Sequence, residues 1–272
     1  MPAPRPMVIL GTGYTGRWIH RLAVEESRPV LAGSRRPEQH LRDLAPTARV
    51  HFDLDDPATW SALPPDADLI WTFPAAPLEQ VHAFAKASHC ALRRVVVLGS
   101  TSAYDRGDET AMDVPPWIDE SSPVNADLPR VQGEEYLRTR HSAIILRVAG
   151  IYGPHRNPVE WIRQGRVGST KKFVNLIHVE DLARLCLLAL ASGGAGHSYN
   201  ISDGHPRRWA DICSEVSMRW GIVSPQAASP GGQGKRICNR KAVEELGYTL
   251  RHPDLYDALA ALQPAASSRT DR

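Results

Sequence analysis

Short apolar runs separated by stretches with helical spacing dominate the first hundred residues. Met7-Val8-Ile9-Leu10, Pro29–Ser34, Arg49–Phe52, Asp68–Phe73 and Arg94–Gly99 read as buried strands. Between them, Arg17–Ala23, Glu38–Leu44 and Leu78–Ser88 read as helices. Strand and helix in regular alternation predict an α/β fold, a doubly wound parallel sheet whose ligand crevice lies beyond the carboxyl ends of its strands. Further on, Phe173–Ile177 reads as a strand and Trp209–Trp220 as a helix. Leu182, Leu185, Cys186 and Ala189 mark the core-facing stripe of a helix over Asp181–Ala191.

The first strand runs straight into Gly11-Thr12-Gly13-Tyr14-Thr15-Gly16, and a helix follows. In that order Gly11 permits the tight turn, Gly13 admits a diphosphate to the backbone, and Gly16 lets helix and strand pack closely. The unpaired amides of the helix start then face the phosphates, so the whole stretch from Gly11 to Gly16 is the expected dinucleotide seat. The second strand ends in Ser34-Arg35-Arg36, where an acid would bind a ribose 2′-hydroxyl and repel a 2′-phosphate. A hydroxyl and two guanidinium groups instead favour NADP(H) over NAD(H). Asp53, after the third strand, is a candidate for the adenine amino group or an ordinary solvated turn. Phe73-Pro74-Ala75 close the fourth strand, and the small residues there leave room for a cofactor. Ser100-Thr101-Ser102-Ala103-Tyr104 bring hydroxyls to the end of the fifth, placed to polarise a substrate oxygen.

Charge adds little: at a formal net charge of +2, nothing points to nucleic acid. Cys90, Cys186, Cys213 and Cys238 are too widely spaced to suggest a metal site or a disulfide framework, and reduced thiols in a cytoplasm are expected. No run is long enough to span a bilayer, and the small, polar end of the chain, 263–272, is expected to be disordered.

With these segments in view, the chain resembles the extended short-chain dehydrogenase/reductases, which include sugar-nucleotide epimerases and dehydratases, from Val8 to about Leu262. The likeness is carried by the glycine loop, by Ser100–Tyr104, by Leu146–Pro154, by Ile177–Ala183 and by Tyr199–Gly204. His155–Pro158, the Gly165 turn, Gly234–Arg236 and Glu244–Tyr248 are similar to an atypical subgroup with an altered catalytic centre. The family's Tyr-x-x-x-Lys precedes a Gly-Glu matched by Gly133-Glu134, which puts Ala126 at the tyrosine and Arg130 at the lysine. The usual acid/base is therefore missing. Arg130 is expected to hold a ribose hydroxyl, but it cannot cycle a proton near neutral pH.

The resemblance implies that Ser100 orients the substrate oxygen, with Tyr104, Tyr152 and His178 as candidates for the proton or as packing residues. Ser102, Asn125, Tyr152, Arg156 and Asn157 fall where the family meets substrate, and with Arg163 would suit carboxylate or phosphate oxygens. The expected division is a cofactor domain at 7–151 and a substrate lobe at 152–262 that returns a strand to the sheet. A homodimer is compatible with the family. The function implied is hydride transfer between NADP(H) and a small polar carbonyl or alcohol. The alternatives are an inactive NADP(H)-binding sensor or scaffold and, third, an NAD-dependent epimerase or dehydratase.

Overall fold

In the computed structural model, residues 5–87, 93–104, 113–225 and 233–263 are described. Ser88, Cys90, residues 226–232 and the expected tail from 264 onward lie outside them.

The first half alternates strand and helix: β1 (Met7–Leu10), α1 (Tyr14–Glu25), β2 (Val30–Ser34), α2 (Pro37–His40), β3 (Arg49–His51), β4 (Asp68–Trp71), α3 (Leu78–Lys86) and β5 (Val95–Ser100). Then come β6 (Trp117–Ile118), α4 (Pro129–His141), β7 (Ile144–Val148), β8 (Gly150–Tyr152), α5 (Pro158–Arg163), β9 (Phe173–Val174) and β10 (Leu176–His178). The chain continues through α6 (Val179–Ser192), β11 (Ser198–Ile201), β12 (Arg207–Arg208), α7 (Trp209–Trp220), β13 (Arg236–Ile237), α8 (Arg240–Leu246) and α9 (Leu255–Leu262).

Seven strands form one sheet in the order β11-β7-β5-β4-β1-β2-β3, and every pair in it is parallel. β1, β4 and β7 are buried along their whole length, which is why their sequences are apolar except for Asp68 in β4 and Arg147 in β7. Ile19, Leu22 and Ala23 of α1 join Leu182, Leu185 and Cys186 of α6 against one face of the sheet. Val81 and Phe84 of α3 and Leu137 of α4 cover the other, around Trp71. This is the expected doubly wound α/β architecture. A third cluster, built on Tyr152, Val159, Ile162, Ile212, Val216, Leu255 and Leu259, belongs to the smaller carboxyl-terminal layer.

Two elements differ from expectation for visible reasons. The helix expected to run to Leu44 stops at His40 and gives way to a turn in which the Leu44 amide donates to the Leu41 carbonyl at 2.9 Å, while the Arg49 guanidinium takes the Leu44 carbonyl at 2.8 Å and that of Arg42 at 3.1 Å. The strand expected over Phe173–Ile177 is split at Asn175, whose side chain accepts from the Ile237 amide at 2.9 Å and donates to the Lys235 carbonyl at 2.8 Å. β9 therefore pairs antiparallel with β12, while β10 pairs parallel with β8.

Candidate functional site

The glycine loop joins β1 to α1, and a cleft of about 680 Å³ opens above it. Gly11 has φ +86°, and a Cβ there would stand 2.7 Å from the Phe73 ring, so both backbone and packing demand glycine. At Gly16 the added carbon would meet the Gly11 carbonyl at 3.1 Å, which keeps α1 close to the sheet. Nothing lies within 4 Å of the corresponding point at Gly13. Since Gly13 caps α1 with no side chain, the first-turn amides are left for an external acceptor.

Of the residues expected to hold a cofactor, Gly11, Thr12, Gly13, Tyr14, Ser34, Arg35, Asp53, Phe73 and Pro74 line this cleft. Thr15 and Gly16 are buried in α1 behind it. Ala75 is fully buried among the core residues around Trp71, and its neighbour Ala76 lines the wall instead. Arg36 is exposed and is not on the cleft wall; its amide donates to Ser34 Oγ at 3.2 Å. Asp53 uses one carboxylate oxygen to accept the Asp55 amide at 3.1 Å, so its side chain serves a turn as well as the wall. Arg17 and His40 are among the wall residues that escaped the sequence reading. His40 Nδ1 lies 3.2 Å from Ser34 Oγ, and Arg17 lines the cleft while paired with Asp43. The signal for both was position: Arg17 follows the last glycine of the loop, and His40 is one helical turn past Arg36.

β5 delivers a hydroxyl chain. Arg130, in the first turn of α4, donates to Ser102 Oγ, and Ser102 Oγ lies 3.1 Å from Ser100 Oγ. A guanidinium only donates, so Ser102 Oγ accepts there and keeps its own proton to offer to Ser100, while either serine can be the donor of the pair. Ser100 Oγ also accepts the Ser102 amide at 3.2 Å. With Ser102 as the donor of the pair, the Ser100 proton is left for an oxygen outside the chain. Lys235 donates to the Thr101 carbonyl at 3.2 Å and to that of Tyr104, holding the turn that carries these serines. Below it, Glu134 lies against Gly99, where a Cβ would come within 2.7 Å of the carboxylate. Burial pushes the Glu134 carboxyl up to about 7, although Arg130 and Arg147 pull the other way.

Several expected site residues are committed elsewhere. Tyr104 is buried, donates to Asn200 Oδ1 at 2.6 Å and accepts from Arg147 at 3.0 Å; burial raises its pKa further, so it is no poised proton carrier. Tyr152 is fully buried, its hydroxyl has no partner among the described residues, and burial raises its pKa as well. His178 is buried and caps α6 by accepting the Glu180 amide at 3.3 Å. Burial, with His252 alongside, lowers it to about 4, so it is neutral at pH 7. Asn157 is buried and caps α5 by accepting the Glu160 amide at 3.1 Å. Asn125 accepts the Asp127 amide at 2.9 Å in a turn. Arg156 is exposed, with Nε donating to the Ile151 carbonyl at 3.1 Å, while Arg163 pairs with Glu160.

Sequence spacing suggested no metal ligands, yet the fold brings donor atoms of His178, Glu180 and His252 within 4.8 Å of one another. Glu180 already pairs with Arg184, Arg251 and His252, which makes this group an ion-pair centre at the start of α6. The described cysteines, Cys186, Cys213 and Cys238, are free. Among the described residues no helix is long and apolar enough to cross a membrane.

A parallel sheet in this order and a glycine turn under a helix start define a Rossmann-type α/β fold, with hydroxyls gathered at the end of β5. Solved structures agree over nearly the whole chain. A short-chain dehydrogenase/reductase superfamily protein from Agrobacterium tumefaciens with bound NAD superimposes with a TM-score of 0.74 at 17% identity, covering 95% of this chain and 96% of that one. A nucleoside-diphosphate-sugar epimerase from Pseudomonas aeruginosa gives a TM-score of 0.72 at 18% identity, covering 96% and 97%. In sequence, the chain is 30% identical over 167 residues to Protein YeeZ of Escherichia coli K12, a match covering 59% of this chain. It spans 59% of the length of that curated relative. No family model matches the chain.

Proposed function

We propose that this chain binds NADP(H) across the Gly11–Gly16 turn and transfers hydride between the nicotinamide and a small polar carbonyl or alcohol. The observation that carries this reading is the cleft itself. Its floor is an uncapped helix start with open space over Gly13, and its far wall holds the Ser34 hydroxyl and Arg35 with no acid on β2. The fold neighbour with bound NAD supports nicotinamide chemistry in general, and Arg35 supports the 2′-phosphate.

The bound nicotinamide would supply or accept the hydride. The chain's own part is to hold the reacting oxygen. Ser100, its proton directed outward by the chain from Arg130 through Ser102, donates to the substrate oxygen as negative charge develops on it. Arg130 supplies fixed positive charge, and its place in the first turn of α4 suits a ribose hydroxyl. The free thiols fit a reducing, cytoplasmic setting.

A second reading is favoured by one specific finding. With alanine at position 126, Tyr152 buried, Tyr104 committed to Asn200 and Arg147, and His178 to the cap of α6, none of the expected proton carriers hydrogen-bonds the serines among the described residues. A protein that binds NADP(H) and reports its redox state without turnover needs none. Absorbance of added NADPH, followed against a panel of carbonyl compounds, separates the two. Oxidation that is lost in Ser100→Ala supports the reductase, and tight NADPH binding with no turnover across the panel supports the sensor.

A further inference from the structure

Arg156 stands out among the charged residues near the cleft because its guanidinium is held but not used. The turn 153–156 is closed by reciprocal backbone bonds, Gly153 amide to Arg156 carbonyl at 2.8 Å and Arg156 amide to Gly153 carbonyl at 3.1 Å. Nε of Arg156 is pinned to the Ile151 carbonyl at 3.1 Å. That bond fixes the plane of the guanidinium, and its two Nη groups have no hydrogen-bond or ion-pair partner among the described residues. Its Cζ stands 5.8 Å from the centre of the Tyr14 ring. Tyr14 opens α1 and lines the cleft, and its hydroxyl donates to the Pro154 carbonyl at 3.0 Å. A Cβ at Gly153 would come within 2.7 Å of that hydroxyl, so a glycine is needed for tyrosine and turn to meet. The carboxyl-terminal layer is thus latched onto the side chain of the first residue of α1, with an oriented cation facing the ring of that residue.

We infer that Arg156 is a cofactor-positioning residue: its free Nη groups meet an oxyanion seated at the start of α1, the diphosphate of the dinucleotide. This rests on the dinucleotide reading above and gives the carboxyl-terminal layer a direct part in it. The two anionic ends of the ligand are then divided between halves of the chain. Arg35 serves the 2′-phosphate and Arg156 the diphosphate, which a guanidinium matches with paired donors. A carboxylate on a substrate would offer the same oxygen chemistry, so the test uses cofactor alone.

Titrate wild type, Arg156→Ala and Arg156→Lys with NADPH and, separately, with 2′-AMP, which has the 2′-phosphate but no diphosphate. The inference expects Arg156→Ala to weaken NADPH by about tenfold or more, because a charge-assisted hydrogen bond is lost, with Lys restoring part of it and 2′-AMP unchanged throughout. Wild type that binds both ligands, with NADPH affinity unmoved in Arg156→Ala, overturns the inference and leaves the dinucleotide reading standing. Equal weakening of NADPH and 2′-AMP also overturns it, since the arginine would then shape the fold and not hold the diphosphate. Wild type that binds neither ligand removes the dinucleotide reading and this inference together.

Discussion

Arg130 and Ser102, separated by 28 residues of chain, meet so that the guanidinium donates to the serine oxygen, which in turn lies 3.1 Å from Ser100 Oγ. If this arginine also holds the nicotinamide ribose, Arg130→Ala will weaken NADPH by roughly three- to tenfold, a loss typical of a charged hydrogen bond at a part-exposed site, and Arg130→Lys will keep most of the affinity. Fluorescence titration of NADPH reads this directly. Unchanged affinity in the alanine variant would confine Arg130 to the serine chain.

Glu134 and His178 act on stability in opposite directions over the same pH range. Burial raises the Glu134 carboxyl from 4.5 to about 7, so the folded chain binds more protons than the unfolded chain between those values, and stability falls as pH rises through them. Burial lowers His178 from 6.5 to about 4, so there the unfolded chain binds more protons, and stability falls as pH drops through that window. Each contribution is at most about 3 kcal/mol, and the two offset between the lower and middle parts of the range. Glu134→Gln should therefore expose acid lability below about pH 6 that wild type partly hides. His178→Asn, which keeps a capping oxygen for α6, should leave a protein that loses stability from about pH 5 towards 7. Denaturant midpoints measured across this range test both slopes.

Much of this fold was legible because parallel strands buried on both faces leave unbroken apolar runs, as in Met7–Leu10 and Val95–Val97. The glycine turn was legible because its residues are dictated by backbone conformation and close approach, both local. The reaction end was harder. Tyr104, His178 and Asn157 have the chemistry of a site, but their partners, Asn200, the Glu180 amide and the Glu160 amide, make them structural. For Tyr104 that partner is 96 residues away, and no local pattern says whether a hydroxyl at a strand end turns outward or inward. Lys235 reaches the site region through tertiary packing, to carbonyls 134 and 131 residues away, for the same reason.

Gly133 lies where α4 crosses the turn after β4, and a Cβ there would be 1.9 Å from the Ala75 carbonyl oxygen. Because the obstacle is backbone, Gly133→Ala should cost more than about 2 kcal/mol. At Gly165, φ is +69° and nothing lies within 4 Å of an added carbon, so Gly165→Ala should cost only about 1 kcal/mol of backbone strain. Urea unfolding of the two variants distinguishes crowding from strain; equal losses would contradict the packing at α4.

Asp181 is fully buried at the start of α6, and its carboxylate accepts from the Tyr248 hydroxyl at 2.7 Å and from the amides of Arg251 at 2.8 Å and His252 at 3.0 Å. These bonds tie the segment after α8 to the sheet-covering helix. Asp181→Ala strands three donors and should cost about 3 kcal/mol or more, with Tyr248→Phe costing about 1. A carboxylate loss no larger than the tyrosine loss would contradict this anchoring role.

The choice of cofactor turns on how the cleft treats a 2′-phosphate. Calorimetric titration of wild type and of the Arg35→Asp, Arg36→Ala double variant with NADPH and NADH measures it. The expected result is NADPH binding in wild type that is weakened tenfold or more in the variant, roughly the loss of one charged phosphate contact, while NADH changes little. No nucleotide binding by wild type at about millimolar concentration, the weak limit for a specific site, or equal loss of both nucleotides in the variant, would contradict it.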